Sequence, residues 1–192
     1  MIIGVLKEIH PGERRVAMAP SVVKQQCLKN AHSVLLEQGA GVIANFTDDQ
    51  YEDSGAEIVE TAHQIWERAD LILKIRAPEV NHETGEDEAD LLRKDVCLIC
   101  LLNPGRNADI LQKLAKTGGT AIAVDQIPRI SRAQSMDVLS SMANISGYRA
   151  ITEAAHHFGR LFTGQITAAG RIPPAKVLVI GAGVAGDRKS VV

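Results

Sequence analysis

No apolar run in the chain approaches the length needed to cross a bilayer, and the N-terminus has no apolar leader segment. The chain therefore reads as cytosolic. It also lacks an excess of either charge. Twenty-one Lys and Arg stand against 23 Asp and Glu, a net charge of −2. Arg14-Arg15 and similar pairs are isolated, which excludes a nucleic-acid stripe or a polybasic membrane patch. Cysteine is scarce, with three residues, Cys27, Cys97 and Cys100. The last two have Cys-x-x-Cys spacing, but they sit inside the apolar run Val96 to Leu102, and no second ligand pair follows. The cysteines read as buried, inert thiols of a reducing compartment. No histidine has a carboxylate or a second histidine at zinc-protease spacing. His156 and His157 are adjacent, so they point to different faces of a helix.

What is present is a regular alternation. Ile2 to Val5, Ser33 to Leu36, Ala56 to Val59, Asp70 to Ile75, Val96 to Leu102 and Thr120 to Val124 read as strands. Between them, Ser21 to Leu28 reads as a helix capped by Ser21, and Tyr51 to Gly55 as a helical turn. Thr61 to Ala69 and Asn107 to Lys116 read as helices, the second capped by Asn107 with Ile110, Leu111 and Leu114 inward. Such alternation predicts an α/β fold, a Rossmann-like parallel sheet with helices on both faces. Glu79 to Asp95, with seven acidic residues, reads as a surface loop with a short helix.

From Val138 the period changes. Val138, Met142, Ile145, Tyr148, Ile151, Ala155 and Phe158 predict one long helix. Ser140, Ser141, Ala143, Ser146 and Gly147 make part of it small-sided, so that another backbone can come close. Thr163 to Pro174 reads as a connector. Lys176 to Ile180 then reads as a strand leading into Gly181-Ala-Gly183-Val184-Ala-Gly186, the glycine turn of a dinucleotide-binding unit. That unit needs about 30 residues, and the acid that holds a ribose lies about 20 residues further on. The predicted organisation is a Rossmann-like domain over 1–137, a linker helix and connector over 138–175, and the truncated start of a second Rossmann domain over 176–192.

The densest polar segment is Pro128 to Asp137. It follows a strand end, the usual ligand edge of an open parallel sheet. Gln134 and Asp137 supply the donor and acceptor a carboxamide needs, and Arg129 or Arg132 can hold a pyrophosphate or orient Asp137. Equally, Asp137 can simply cap the long helix with the arginines in solvent. Arg15 and Lys74 can converge at the same sheet edge to grip a small carboxylate, or be ordinary surface charge.

These stretches, with Glu13 to Ala17, Ile72 to Pro78, Leu139 to Ala150 and Gly164 to Gly170, resemble the NAD(H)-binding part of proton-translocating NAD(P) transhydrogenase alpha subunits. The likeness covers residues 1–186, and the stretch Arg129 to Arg149 is the most specific part. The resemblance implies hydride transfer from NADH on this domain to NADP⁺ on a partner domain, coupled to proton movement through a membrane domain. It implies a homodimer at the cytoplasmic side of the inner membrane and no nucleic-acid partner. It places the nicotinamide loop on Arg129, Ile130, Ser131, Arg132 and Ala133, followed by Gln134, Asp137 and Ser140. Arg129, Gln134 and Asp137 are the implied catalytic trio, and Gly181, Gly183, Val184 and Gly186 the cofactor turn. Alanine dehydrogenases resemble the chain too, and Arg15 and Lys74 match their carboxylate grip. The strand there, however, reads Cys97-Leu-Ile-Cys-Leu-Leu-Asn-Pro104, without the histidine expected near its end. The tail after Gly186 departs from the family pattern, so the chain alone is expected to be inactive and to bind NADH weakly or not at all.

Overall fold

A computed structural model of the chain describes residues 1–188. The expected polar tail over 189–192 lies outside the described residues. The chain divides into two compact units, Met1–Ile127 and Pro128–Val192.

The first unit is built on a six-stranded parallel sheet. Its strands are β1 (Ile2–Val5), β2 (Ser33–Glu37), β3 (Ala56–Val59), β4 (Leu71–Arg76), β5 (Cys97–Leu101) and β6 (Thr120–Ala123). Their spatial order is β3-β2-β1-β4-β5-β6, the Rossmann order. All five pairings are parallel. Alternation along the strands feeds two separate cores. Val34 and Leu36 join Ile3, Val5, Val23 and Tyr51 on one face. Leu35 joins Ile65, Trp66, Ile72, Leu98 and Leu114 on the other. Helices α1 (Pro20–Asn30) and α2 (Asp48–Glu52) therefore cover one face, and α3 (Ala62–Arg68) and α4 (Ala108–Thr117) the other.

Local chemistry sets the helix ends, with two departures from the sequence reading. Pro20, not Ser21, opens α1: Ala19 is the N-cap, and the proline takes the first turn, where its missing N–H costs nothing. Asn107 does sit at the N-cap of α4, but its Nδ2 donates back to the Leu102 carbonyl at 2.7 Å and caps no helical amide. Thr47 with Gln50, and Thr61 with Gln64, form capping boxes for α2 and α3.

Cys97 and Cys100 are three apart on β5, hence on opposite faces. Cys100 is fully buried, and burial pushes its thiol up to about 12. Cys27 and Cys97 are only half-buried.

The second unit contains a 3-10 turn over Ser131–Met136 and the long helix α5 (Val138–His157). These are followed by an antiparallel hairpin of β7 (Gln165–Thr167) and β8 (Gly170–Ile172), and a short helix α6 (Val184–Arg188). The loop 128–137, grouped with the sheet in the sequence reading, belongs to this unit, because Asp137 starts α5. The hairpin lies in the stretch read as a plain connector. The strand expected over Lys176–Ile180 does not form. No described strand pairs with it, and Leu178 and Ile180 are 85% and 89% exposed. An apolar β-branched run without a neighbour has no ladder to join. Among the described residues, no helix is long and apolar enough to cross a membrane.

Candidate functional site

Asp137 joins the 3-10 turn to α5. Its φ and ψ of −77° and 84° are non-helical, as an N-cap requires. Both carboxylate oxygens are engaged by one residue. Ser140 Oγ donates to Oδ2 at 2.5 Å, and the Ser140 backbone N–H donates to Oδ1 at 2.9 Å. These bonds, the hydroxyl's first, hold the Asp137 carboxyl below the usual carboxylate range, and the Arg129 charge adds a smaller push. Asp137 is thus ionised and fixed in direction. The bidentate arginine contact allowed by the sequence is not formed among the described residues; Ser140 does that work through shorter, local bonds.

A cavity of about 530 Å³ opens beside this cap. It is lined by Arg129, Ile130 and Ser131, by Gln134 of the 3-10 turn, by Asp137 and Ser140 at the start of α5, and by Val184, the first residue of α6. Seven sequence-predicted residues therefore meet at one place.

The other five do not line the cavity. Arg132 is exposed and Ala133 is buried. Gly181 and Gly186 act on the shape of the turn, while Gly183 has neither a positive φ nor a close neighbour. Gly181 has φ +105°, and a Cβ on Gly186 would overlap the Gly181 carbonyl oxygen. Two lining residues were missed, Ser141 and Asn144. Both lie on the helical face that Asp137 begins, at spacings of four and seven residues, so helical periodicity from the cap was the available signal.

With this geometry the comparisons are decisive for family. The model of the alanine dehydrogenase/PNT N-terminal domain matches residues 4–146, and that of the corresponding C-terminal domain matches residues 150–189. The chain belongs to the alanine dehydrogenase/PNT family. It is 50% identical over 186 residues to the NAD(P) transhydrogenase subunit alpha of Cereibacter sphaeroides, covering 97% of this chain and 34% of that one. The solved transhydrogenase from Sinorhizobium meliloti superposes with a TM-score of 0.90 at 39% identity, over 98% of this chain and 54% of that one. A solved L-alanine dehydrogenase superposes at 0.85 with 29% identity, over 100% of this chain and 51% of that one. The chain spans between a third and a half of the length of the curated relatives it matches.

In this member of the alanine dehydrogenase/PNT family, Arg15 and Lys74 are already partnered. Glu13 accepts from Arg15 Nε and Nη2, both at 2.7 Å, and from Arg76 Nε at 2.7 Å. Led by the Arg15 side-chain bonds, these contacts lower the Glu13 carboxyl to about 2. Lys74 is fully buried and donates to Glu88 Oε1 at 2.7 Å, with Glu8 at 3.9 Å. Burial pushes the Glu88 carboxyl up, against the pull of Lys74. Glu8 in turn accepts from the Ile75 and Arg76 amides at 2.5 and 3.1 Å, where the β4–β5 register shifts. These groups gather at the ends of β1 and β4, where the strand order reverses. The sequence reading missed the acids. Glu13 was legible two residues from Arg15, but Glu88 comes from a loop that only the fold brings back.

Proposed function

We propose that this chain is the NAD(H)-binding part of a proton-translocating NAD(P) transhydrogenase, with Arg129, Gln134 and Asp137 as the groups that place the nicotinamide. One observation carries the reading: a single cavity gathers these three side chains, Ser140 and the glycine turn's Val184. The donor set fits a primary carboxamide, which offers an N–H₂ donor and a carbonyl acceptor. The ionised Asp137 carboxylate is acceptor-only. The Gln134 amide supplies a donor and an acceptor, and Arg129 supplies donors and a positive charge for a phosphate. When bound, the dinucleotide supplies the hydride. The chain's own residues bind and orient it, and no side chain is required to move a proton. The hydride would pass to NADP⁺ held by a partner domain, with a membrane domain completing the enzyme and a second copy of this domain forming a homodimer.

Oxidative deamination of alanine is the weaker reading. The two cations that would grip a carboxylate are neutralised by Glu13 and Glu88, and the β5 end lacks a histidine.

The test is Asp137→Asn in the complete enzyme. Asparagine caps helices as well as aspartate does, so thermal stability should hold. Hydride transfer should fall by about tenfold or more, since the acceptor-only carboxylate becomes an amide that also donates. Equal losses of activity and stability would reduce Asp137 to a helix cap.

A further inference from the structure

Gly147 is the buried residue of α5, a helix whose other residues are all at least partly exposed. A Cβ placed on it would overlap the Ala185 carbonyl oxygen and lie 3.0 and 3.1 Å from the Ala185 carbonyl carbon and Cα. The backbone of α6 therefore rests directly on the α5 backbone at this one position. Ala185 follows Val184, which lines the same cavity as Asp137 and Ser140. The width of that cavity is thus set by how closely α6 seats on α5. Helix interiors ordinarily favour alanine over glycine, so a glycine at this point runs against local propensity. The close approach explains it: any side chain must push the Gly181–Gly186 turn outward.

We infer that Gly147 is a positioning residue for dinucleotide binding, acting through Ala185 to hold the glycine turn against the Arg129–Ser140 site. This rests on the NAD(H)-binding reading above. The role is distinct from that of the cavity residues, because Gly147 does not line the cavity. It fixes the gap that a ligand must fill.

The experiment compares the complete enzyme with its Gly147→Ala and Ser146→Ala variants. Ser146 is the exposed neighbour and serves as control. NADH is titrated by its own fluorescence, and hydrogen exchange is followed on peptides covering α5 and on peptides covering Ala185 to Asp187. We expect Gly147→Ala to weaken NADH binding by about tenfold. Exchange in α6 should accelerate, α5 should stay protected, and Ser146→Ala should match the unmodified enzyme. Unchanged affinity or unchanged α6 exchange in Gly147→Ala would overturn the inference and leave the binding reading standing. Loss of α5 protection would overturn it in favour of a purely structural role. No NADH binding by the unmodified enzyme would remove the binding reading and this inference with it.

Discussion

Glu13 illustrates how single residues in this fold are tuned by their neighbours. Its two oxygens accept from the Arg15 and Arg76 side chains and from the Arg14 and Arg15 amides, and its side chain is 4% exposed. The carboxyl is held at about 2, against an ordinary 4.5. A depressed folded-state value means that the stabilisation is complete above the ordinary value and is lost as pH falls through the folded one. Glu13→Gln should therefore cost about 2 kcal/mol at neutral pH, a figure reduced for the partly exposed arginines. That cost should shrink to about half near pH 3. Urea unfolding of the two proteins at pH 7, 4.5 and 3 measures it; a difference that does not change with pH would contradict the assignment. Arg15 and Lys74 were legible as a possible grip for an anion. That each would find an internal carboxylate was not, because Glu88 lies 14 residues from Lys74 along the chain and meets it only across a loop.

At the scale of elements, periodicity carried the reading well wherever an element is supported by its neighbours. The six strands of the sheet and the long helix all form, within a residue or two at their ends. The failure at Lys176–Ile180 is instructive. The run has strand composition, yet a strand is a property of a pair, and the described residues offer no partner. The amides of Val177 to Ile180 should accordingly exchange at nearly unprotected rates, while those of β1 and β4, in the middle of the sheet, resist. Slow exchange through 177–180 would show that the run has found a ladder. The hairpin β7–β8 was missed for the opposite reason. Its strands are three residues each and fully exposed, too short for alternation to register. At Asp137 the cap reading holds, since its carboxylate accepts from the Ser140 amide, and the same residue lines the cavity on which the proposed function rests.

For the molecule as a whole, the two hydrophobic cores draw every buried member from the first unit, between Ile3 and Leu114. That unit has its own sheet, its own helices on both faces and its own charge network. Residues 1–127 expressed alone should fold cooperatively, as a domain with a complete core does. A single sigmoidal melt with native-like helical signal would bear this out, and a broad non-cooperative one would show that the sheet depends on the second unit. That second unit has little core. Ile145, Tyr148, Ile166 and Leu178 are exposed, and its α5 buries only Gly147. The candidate site lies in this thinner unit, so its geometry rests on a few local devices: the Asp137–Ser140 cap, the 3-10 turn and the α6 seat.

By itself the sequence determined the strand and helix alternation and the long helix, and it singled out the polar loop and the glycine cluster. These follow from periodicities and local propensities that need no distant partner. Only the tertiary structure decided which of these would meet. It turned the small side of α5 into a seat for α6, left the 176–180 run without a sheet, and brought Glu88 back to a buried Lys74. Burial, strand pairing and charge compensation act between residues far apart in the chain. Their outcome is therefore fixed by the fold and not by local order.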